Sequence, residues 1–279
     1  MLIELIKYML LGILQGLTEP IPVSSSGHLL ILQTILERFT EGVNIDFGIL
    51  ATITNFGSLL AIIIYYFNDI VSLVKSFFTF IFDKDKRTKK DVKNDYSYCL
   101  KIVLATIPAG IVGLIATKFG LLSTLEENVK FVGLMLLVTS LFLFLIKDFK
   151  GTKEKDEITF IDALVIGLCQ MLAITPGISR SGSTIIGGMF RNLKRNVAFD
   201  FSFILYIPIS VATSILGIKD LLELSISSST FILYIIAAIL AGIFTYISTK
   251  WFAKIVKEGK LIYFSIYCLI LGFAVILFL

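Results

Sequence analysis

Charge is scarce in this sequence: Asp, Glu, Lys and Arg make up 16% of its 279 residues, against about 25% in a typical soluble domain. Hydrophobic residues make up 56%, and the mean hydropathy is +0.91. A soluble globule has too little interior to hide that surplus. A soluble enzyme, a disordered chain and a nucleic-acid-binding protein are therefore excluded. Histidine occurs once, at His28, so chemistry that needs two imidazoles is excluded too. Cys99, Cys169 and Cys268 lie in apolar surroundings without paired spacing. They read as small buried hydrophobes, not as a disulfide framework or a zinc site. The first twenty residues lack the basic n-region and small-residue cleavage motif of a signal peptide, and are read as part of the mature protein. Twenty-five basic and twenty-one acidic residues leave a net charge of +4. The basic ones gather at the ends of apolar segments, which is how charge sits on an integral membrane protein.

Six stretches have the length and apolarity of transmembrane helices: Phe47–Phe67, Cys99–Leu121, Lys130–Ile146, Phe199–Ile218, Thr230–Thr249 and Leu261–Leu279. Asn68–Phe82 is expected either to extend the first span or to lie in the interface. Two further apolar segments are broken. Leu2–Leu17 runs into a Pro/Ser/Gly stretch and then Leu29–Leu36; Ile161–Ile174 does the same before Ile185–Phe190. Irregular backbone at membrane depth is tolerated only where protein buries it or it lines a wet cavity.

Basic residues orient the spans. Lys84, Lys86, Arg87, Lys89, Lys90 and Lys93 assign their loop to the cytoplasm. Lys147, Lys150, Lys153 and Lys155 return there two spans later. Arg191, Lys194 and Arg195 stay inside only if the second broken segment enters and leaves on one side. Lys250, Lys254, Lys257 and Lys260 then fall inside as well, whereas Glu37–Asp46, Ser123–Asn128 and Lys219–Ser229 carry few basic residues. The expected architecture is an all-α membrane protein with six transmembrane helices, two re-entrant helical hairpins and both termini outside. It forms a single membrane domain.

The broken segments are also copies. Gly12-Ile-Leu-Gln15 matches Gly167-Leu-Cys-Gln170, and Ser24-Ser25-Ser26-Gly27 matches Ser179-Arg180-Ser181-Gly182, at a constant offset of 155. Three spans separate the copies, so the second is inverted. The repeat halves, roughly 1–150 and 155–279, form an inverted-topology repeat whose hairpins meet near the midplane.

Few polar residues remain to carry chemistry. Gln15 and Glu19 are four apart and share a helix face. A carboxylate within a membrane segment costs about 2.5–3.5 kcal/mol on insertion scales, and so marks a functional site unless it merely ends a helix at the interface. Ser24, Ser25, Ser26 and Gly27 can cradle an anion at a helix N-terminus or simply cap that helix. His28 beside them is a candidate acid/base or a satisfied buried histidine. In the second break, Ser179, Ser181 and Thr184 flank Arg180, which cannot shed its proton and needs an anionic partner. That partner is either Glu19, locking the hairpins together, or a phosphate held bidentately. A carboxylate, hydroxyls, an imidazole and a guanidinium at one depth suit phosphoryl transfer from a lipid-borne phosphate.

Gln15-Gly-Leu-Thr-Glu19 with Pro22-Val-Ser-Ser-Ser-Gly-His28, and Pro176-Gly-Ile-Ser-Arg-Ser-Gly-Ser-Thr184, closely resemble the signature regions of the undecaprenyl-diphosphate phosphatases, also called bacitracin-resistance phosphatases. The likeness covers essentially the whole chain. It implies hydrolysis of a polyprenyl diphosphate to the monophosphate and phosphate, recycling a cell-wall carrier lipid. It also implies a divalent cation (Mg²⁺ or Ca²⁺), an active site facing the outer side of the cell membrane, and inverted repeats with re-entrant hairpins. On that likeness Glu19 is the essential acid, Arg180 the phosphate ligand, Ser25 the candidate nucleophile and His28 a candidate acid/base; by its own chemistry Glu19 either holds a divalent cation, as the metal ligand, or takes a proton. Gln15 stands where the family has Glu or Gln, and cannot be a base. A serine phosphoenzyme and direct water attack both remain open. A lipid-phosphate flippase or transporter is the alternative, because inverted repeats with broken helices are transporter architecture. Gly133, Gly187, Gly188, Gly242 and Gly272 allow close helix packing, within the fold or in a homodimer.

Overall fold

The computed structural model describes residues 2–39, 45–120, 128–223 and 227–279; among these the chain is helical, with one isolated backbone bridge and no strand. The helices are α1 (Leu2–Thr18), α2 (Ser25–Phe39), α3 (Phe47–Tyr65), α4 (Phe67–Phe82), α5 (Lys90–Lys118), α6 (Val129–Ile146), α7 (Phe160–Leu172), α8 (Arg180–Phe190), α9 (Arg195–Glu223), α10 (Ser228–Glu258) and α11 (Ile262–Phe278). Five of them, α3, α5, α6, α9 and α10, are long and apolar enough to cross a membrane. The apolar α11 is shorter, at 17 residues. The three basic-poor loops, Glu37–Asp46, Ser123–Asn128 and Lys219–Ser229, each include positions (40–44, 123–127 and 224–226) outside the described residues.

Several helices outrun their apolar stretch. α5 begins at Lys90 rather than near Cys99, and α10 continues to Glu258 rather than stopping near Thr249. Their charged turns are good helix formers, and long basic side chains keep their heads in water while the stem covers apolar surface. Gly259, in the left-handed region at φ 74°, ends α10. Asn68–Phe82 does not continue the preceding span in register. The helix breaks at Tyr66, and α4 lies along α5, with Phe80 stacked on Tyr96 at 3.9 Å between ring centroids.

The two broken segments are two-armed. Thr18 ends α1 and Ser25 starts α2; Leu172 ends α7 and Arg180 starts α8. At 1.5 Å per residue α7 and α8 reach only about 20 and 16 Å, short of a hydrocarbon core of about 30 Å. Each first arm docks through a glycine against a helix of the other half of the chain. A Cβ on Gly12 would lie 2.4 Å from the Ala237 carbonyl of α10, and one on Gly167 would lie 2.5 Å from the Ala105 carbonyl of α5. These two glycines are 155 positions apart, so the copies make the same kind of contact. The other candidate packing glycines are used inside the fold. Gly133 meets Gly272, Gly242 meets Gly57, Gly187 meets Cys169 and Gly188 meets Ala198. The cysteines are free, with Cys268 buried in the core.

On the basic side, the loop after α6 is tied to the turn after α8 by the Lys153–Leu193 bridge. Asp162, at the start of α7, closes the tie by pairing with Lys153 at 2.9 Å and Arg191 at 2.7 Å. Burial pushes the Asp162 carboxyl up, but the Thr159 N–H, Lys153 and Arg191 outweigh it and hold the group at about 2.

Candidate active site

The two breaks face each other across a polar cavity of about 310 Å³, lined by both hairpins, α3 and α9. At its floor Glu19, 9% exposed, gathers three donors. Its Oε2 accepts from Gln15 Nε2 at 2.8 Å and from Ser25 Oγ at 2.5 Å. Its Oε1 accepts from Arg180 Nη2 at 2.5 Å. Residues 161 positions apart thus share one carboxylate. Ser25 and Arg180 are the first residues of α2 and α8, so two helix N-termini, each carrying partial positive charge, converge on one point.

The remaining break residues build these N-termini in parallel. Ser24 Oγ caps α2 by accepting from Gly27 N at 3.3 Å and lies 3.4 Å from Ser26 Oγ. Ser179 Oγ caps α8 by accepting from Gly182 N at 3.1 Å and lies 3.4 Å from Ser181 Oγ. Ser24 adopts φ 69°, an uncommon conformation for a side chain other than Gly, Asn or Asp. Ser181 Oγ donates to the Ile21 carbonyl at 3.3 Å and so joins the hairpins. Gly27 permits their close approach: a Cβ there would lie 3.3 Å from Gly177 Cα.

Against the repeat, the site is asymmetric. At the 155-residue offset, Arg180 occupies the place of Ser25, and Ile174 the place of Glu19. Carboxylate and hydroxyl come from the first copy and the guanidinium from the second. Ile174 lines the cavity as a plain wall.

Ser25, Ser26, Glu19, Gln15 and Arg180 line the cavity, and Ser24, Ser179 and Ser181 line a small recess of about 50 Å³ that also contains Glu19. Three predicted residues line neither: Gly27, at the contact between the hairpins, His28 and Thr184. His28 is buried, with Nδ1 donating to the Ser24 carbonyl at 2.7 Å, which leaves Nε2 to accept from Tyr267 Oη, also at 2.7 Å. Both ring nitrogens are engaged, and the imidazole points toward α11. Thr184 donates to the Arg180 carbonyl at 3.0 Å and contacts Ser202 at 2.5 Å, buttressing α8 from behind.

The structure adds residues that sequence reasoning missed. Tyr206 of α9 lies under Arg180, with Cζ 3.8 Å from the ring centroid, and its hydroxyl donates to Asn55 Oδ1 at 2.8 Å. Asn55 stands out in the sequence only as an amide inside the α3 span, and Tyr206 carries no signal at all.

For a divalent cation the donor set fits one mode of binding. Glu19 is the one carboxylate in the cavity, and Gln15 Oε1 is buried without a hydrogen-bond partner, an oxygen facing no donor. Among the described residues no group of three or more His, Cys, Asp or Glu comes together. A hard cation that keeps waters and takes most of its ligands from substrate phosphate needs no more than this.

The chain is similar to known proteins over nearly its whole length. The family model described as bacitracin resistance protein BacA matches residues 8–274. A protein of Bacillus licheniformis named undecaprenyl-diphosphatase 1 is 42% identical over 274 residues, covering 98% of each chain. Undecaprenyl-diphosphatase 2 of Bacillus thuringiensis is 40% identical over 275 residues, 99% of this chain and 98% of its own. An undecaprenyl-diphosphatase of Acholeplasma laidlawii is 41% identical over 271 residues, 97% and 96% of the two chains.

Proposed function

The chain belongs to the bacitracin resistance protein BacA family, and we propose that it is a membrane phosphatase converting undecaprenyl diphosphate to the monophosphate and inorganic phosphate. The observation that carries this reading is the Glu19 carboxylate, which holds Ser25 Oγ on one oxygen and Arg180 on the other. The names of the relatives favour hydrolysis over the transport alternative.

Arg180 has donors to spare beyond the one on Glu19, and these grip the terminal phosphate while the α2 and α8 N-termini offset its charge. Ser25 Oγ passes its proton to Glu19 and attacks the terminal phosphorus. The bond to the bridging oxygen breaks, undecaprenyl phosphate leaves, and water then hydrolyses the phosphoserine. Ser25 is preferred over direct water attack because its hydroxyl already rests on the carboxylate. A divalent cation would be held by Glu19 and Gln15 Oε1 and would neutralise phosphate charge when bound. The tail is assigned to an apolar groove of about 740 Å³ between α3, α9 and α10, lined by Phe56, Leu60, Ile235, Ile239 and Ile243. That groove meets the polar cavity at Thr52, which lines both.

The inverted-repeat architecture, with six spans, α1–α2 and α7–α8 re-entrant, and halves near 1–150 and 155–279, is supported by the short arms and the matched glycine contacts. In that topology the cavity faces outward. It draws on Ala51–Asn55 near the start of α3, the end away from the basic loops, and on Tyr206–Thr213 at the middle of α9. The cell membrane is the assigned location. For a homodimer, Gly110 and Gly113 on α5 are close-packing positions open to a second copy, since a Cβ at either meets nothing within 4 Å.

The test is phosphate release from undecaprenyl diphosphate by protein purified in detergent with Mg²⁺. Release by wild type, a trapped phosphoprotein absent from Ser25→Ala, and loss in Arg180→Ala are expected. Unchanged release in Arg180→Ala refutes the assignment. Cysteines placed by Lys89→Cys and Lys194→Cys should both be labelled from the cytoplasmic side alone.

A further inference from the structure

A second polar cleft, of about 390 Å³, opens among the basic loops and is lined by Lys150, Gly151, Lys194, Arg195, Asn196 and Lys257. It lies where the chain leaves α6, enters α9 and leaves α10, at the start of α9, whereas the active-site cavity meets that helix at its middle. The cleft is built rather than incidental. The Lys153–Leu193 bridge fixes the backbone on one side, and Arg195 Nη2 donates to the Lys147 carbonyl at 3.0 Å on the other. Gly259 leaves room for the guanidinium, which a Cβ there would strike.

Its charge is only partly compensated, since Lys257 feels the Asp200 carboxylate without touching it. Lys194 pairs with Glu154. Among the described residues, no carboxylate lies within ion-pair distance of Lys150, Arg195 or Lys257. Arg195 Nε is closed to solvent and has no hydrogen-bond acceptor. The first turn of α9 carries no acidic residue, and Lys194 before it has no acceptor with which to cap it. Ordinary positive-inside charge needs only lysines spread through solvent. Lys150, Arg195 and Lys257, none with a carboxylate in ion-pair contact, gather around one cavity and call for an anion.

We propose that this cleft binds a phosphate group, presented by an anionic phospholipid of the cytoplasmic leaflet or free in solution. The site is separate from the catalytic one and does not rest on the proposed reaction. α9 begins in this cleft and carries Tyr206, the platform under Arg180. An occupied cleft therefore anchors the helix that braces the active-site arginine.

The test uses the full-length protein in phosphatidylcholine nanodiscs, with thermal unfolding followed as either phosphatidylglycerol in the disc or inorganic phosphate in the buffer is titrated. Wild type should gain stability with one of them, which identifies the source. Lys150→Gln with Lys257→Gln should weaken the apparent affinity about fivefold for each lysine removed. Phosphate release in neutral lipid should be unchanged. Lys84→Gln with Lys90→Gln, the same charge change on another basic segment, should leave the shift intact. Both lysines of the test pair are surface residues, so the result does not depend on the fold tolerating Arg195→Gln. The proposal is overturned if neither titrant stabilises wild type, if the Lys150/Lys257 variant responds as wild type does, or if both double variants lose the response equally.

Discussion

Glu19→Gln keeps the size of the side chain and removes its charge, and it tests the centre of the mechanism. Glu19 accepts from Gln15 at 2.8 Å and from Ser25 and Arg180 at 2.5 Å each. A glutamine amide has one acceptor oxygen, so at least one of these donors must face an NH₂ group instead. Loss of a general base lowers the rate by about 10²–10⁴. Removing one partner of a fully buried ion pair costs about 3–5 kcal/mol. The Arg180 side chain, however, is 21% exposed and rests on Tyr206, so the expected stability loss is smaller, about 1–3 kcal/mol. A third effect has the opposite sign. Arg180, freed from a competing carboxylate, should hold phosphate at least as well, so with Mg²⁺ saturating, to offset the loss of the carboxylate from the cation site, KM should not rise. The assay is phosphate release with kcat and KM resolved, alongside thermal unfolding of the same preparation. A folded Glu19→Gln protein with kcat within tenfold of wild type refutes Glu19 as the base. A tenfold rise in KM that saturating Mg²⁺ does not reverse refutes the competition between Glu19 and phosphate for Arg180.

Tyr206→Leu should raise KM about five- to thirtyfold, from a cation–π contact of about 1–2 kcal/mol, whereas Tyr206→Phe keeps the ring and should lose less; equal effects on steady-state kinetics would show that the ring is not a platform. Gly167→Ala gains up to about 1 kcal/mol of helix propensity but overpacks α7 against the Ala105 carbonyl at about 1–3 kcal/mol, so its melting temperature should fall. Gly48→Ala, at an exposed position of α3 where a Cβ makes only an ordinary 3.5 Å contact with Asp46 Oδ1, should instead melt higher, and the two shifts having the same sign would contradict the packing argument. Asp162 sits at about 2 in the folded protein, below the unfolded carboxylate value of about 3.9, so its contribution is present above about pH 4 and is lost as pH falls toward 2. Thermal unfolding across that window should show a slope that Asp162→Asn lacks.

Glu19 and Arg180 were legible in the sequence because ionised groups in an apolar segment are expensive, and the loops explain neither. Two readings of their relation were open there, a structural pair or a phosphate clamp. Their contact in the structure satisfies the first and leaves donors for the second. The serines were legible as a group but not one by one. Ser24 and Ser179 turn to cap helices, and Ser25 turns to the carboxylate, because the first position of a helix points its side chain out past the end. His28 could not be placed from its neighbours: its partner Tyr267 is 239 residues away. Tyr206 and Asn55 were invisible because a tyrosine or an amide on an apolar helix carries no mark of the face it occupies.

Local chemistry read along the chain was enough for the all-helical membrane class, for five apolar helices long enough to cross and for the breaks. Lipid admits few charges, 20 apolar residues make one crossing, and Pro, Gly and Ser interrupt a helix wherever they stand. The repeat was equally plain, since an offset of 155 is a property of letters. Which copy supplies which group to the site, where each ring turns, and what braces the arginine depend on helices far apart in sequence meeting through glycine contacts such as Gly12–Ala237 and Gly167–Ala105. Packing alone decides those positions, because a side chain's partners are set by the neighbouring helix and not by the residues beside it.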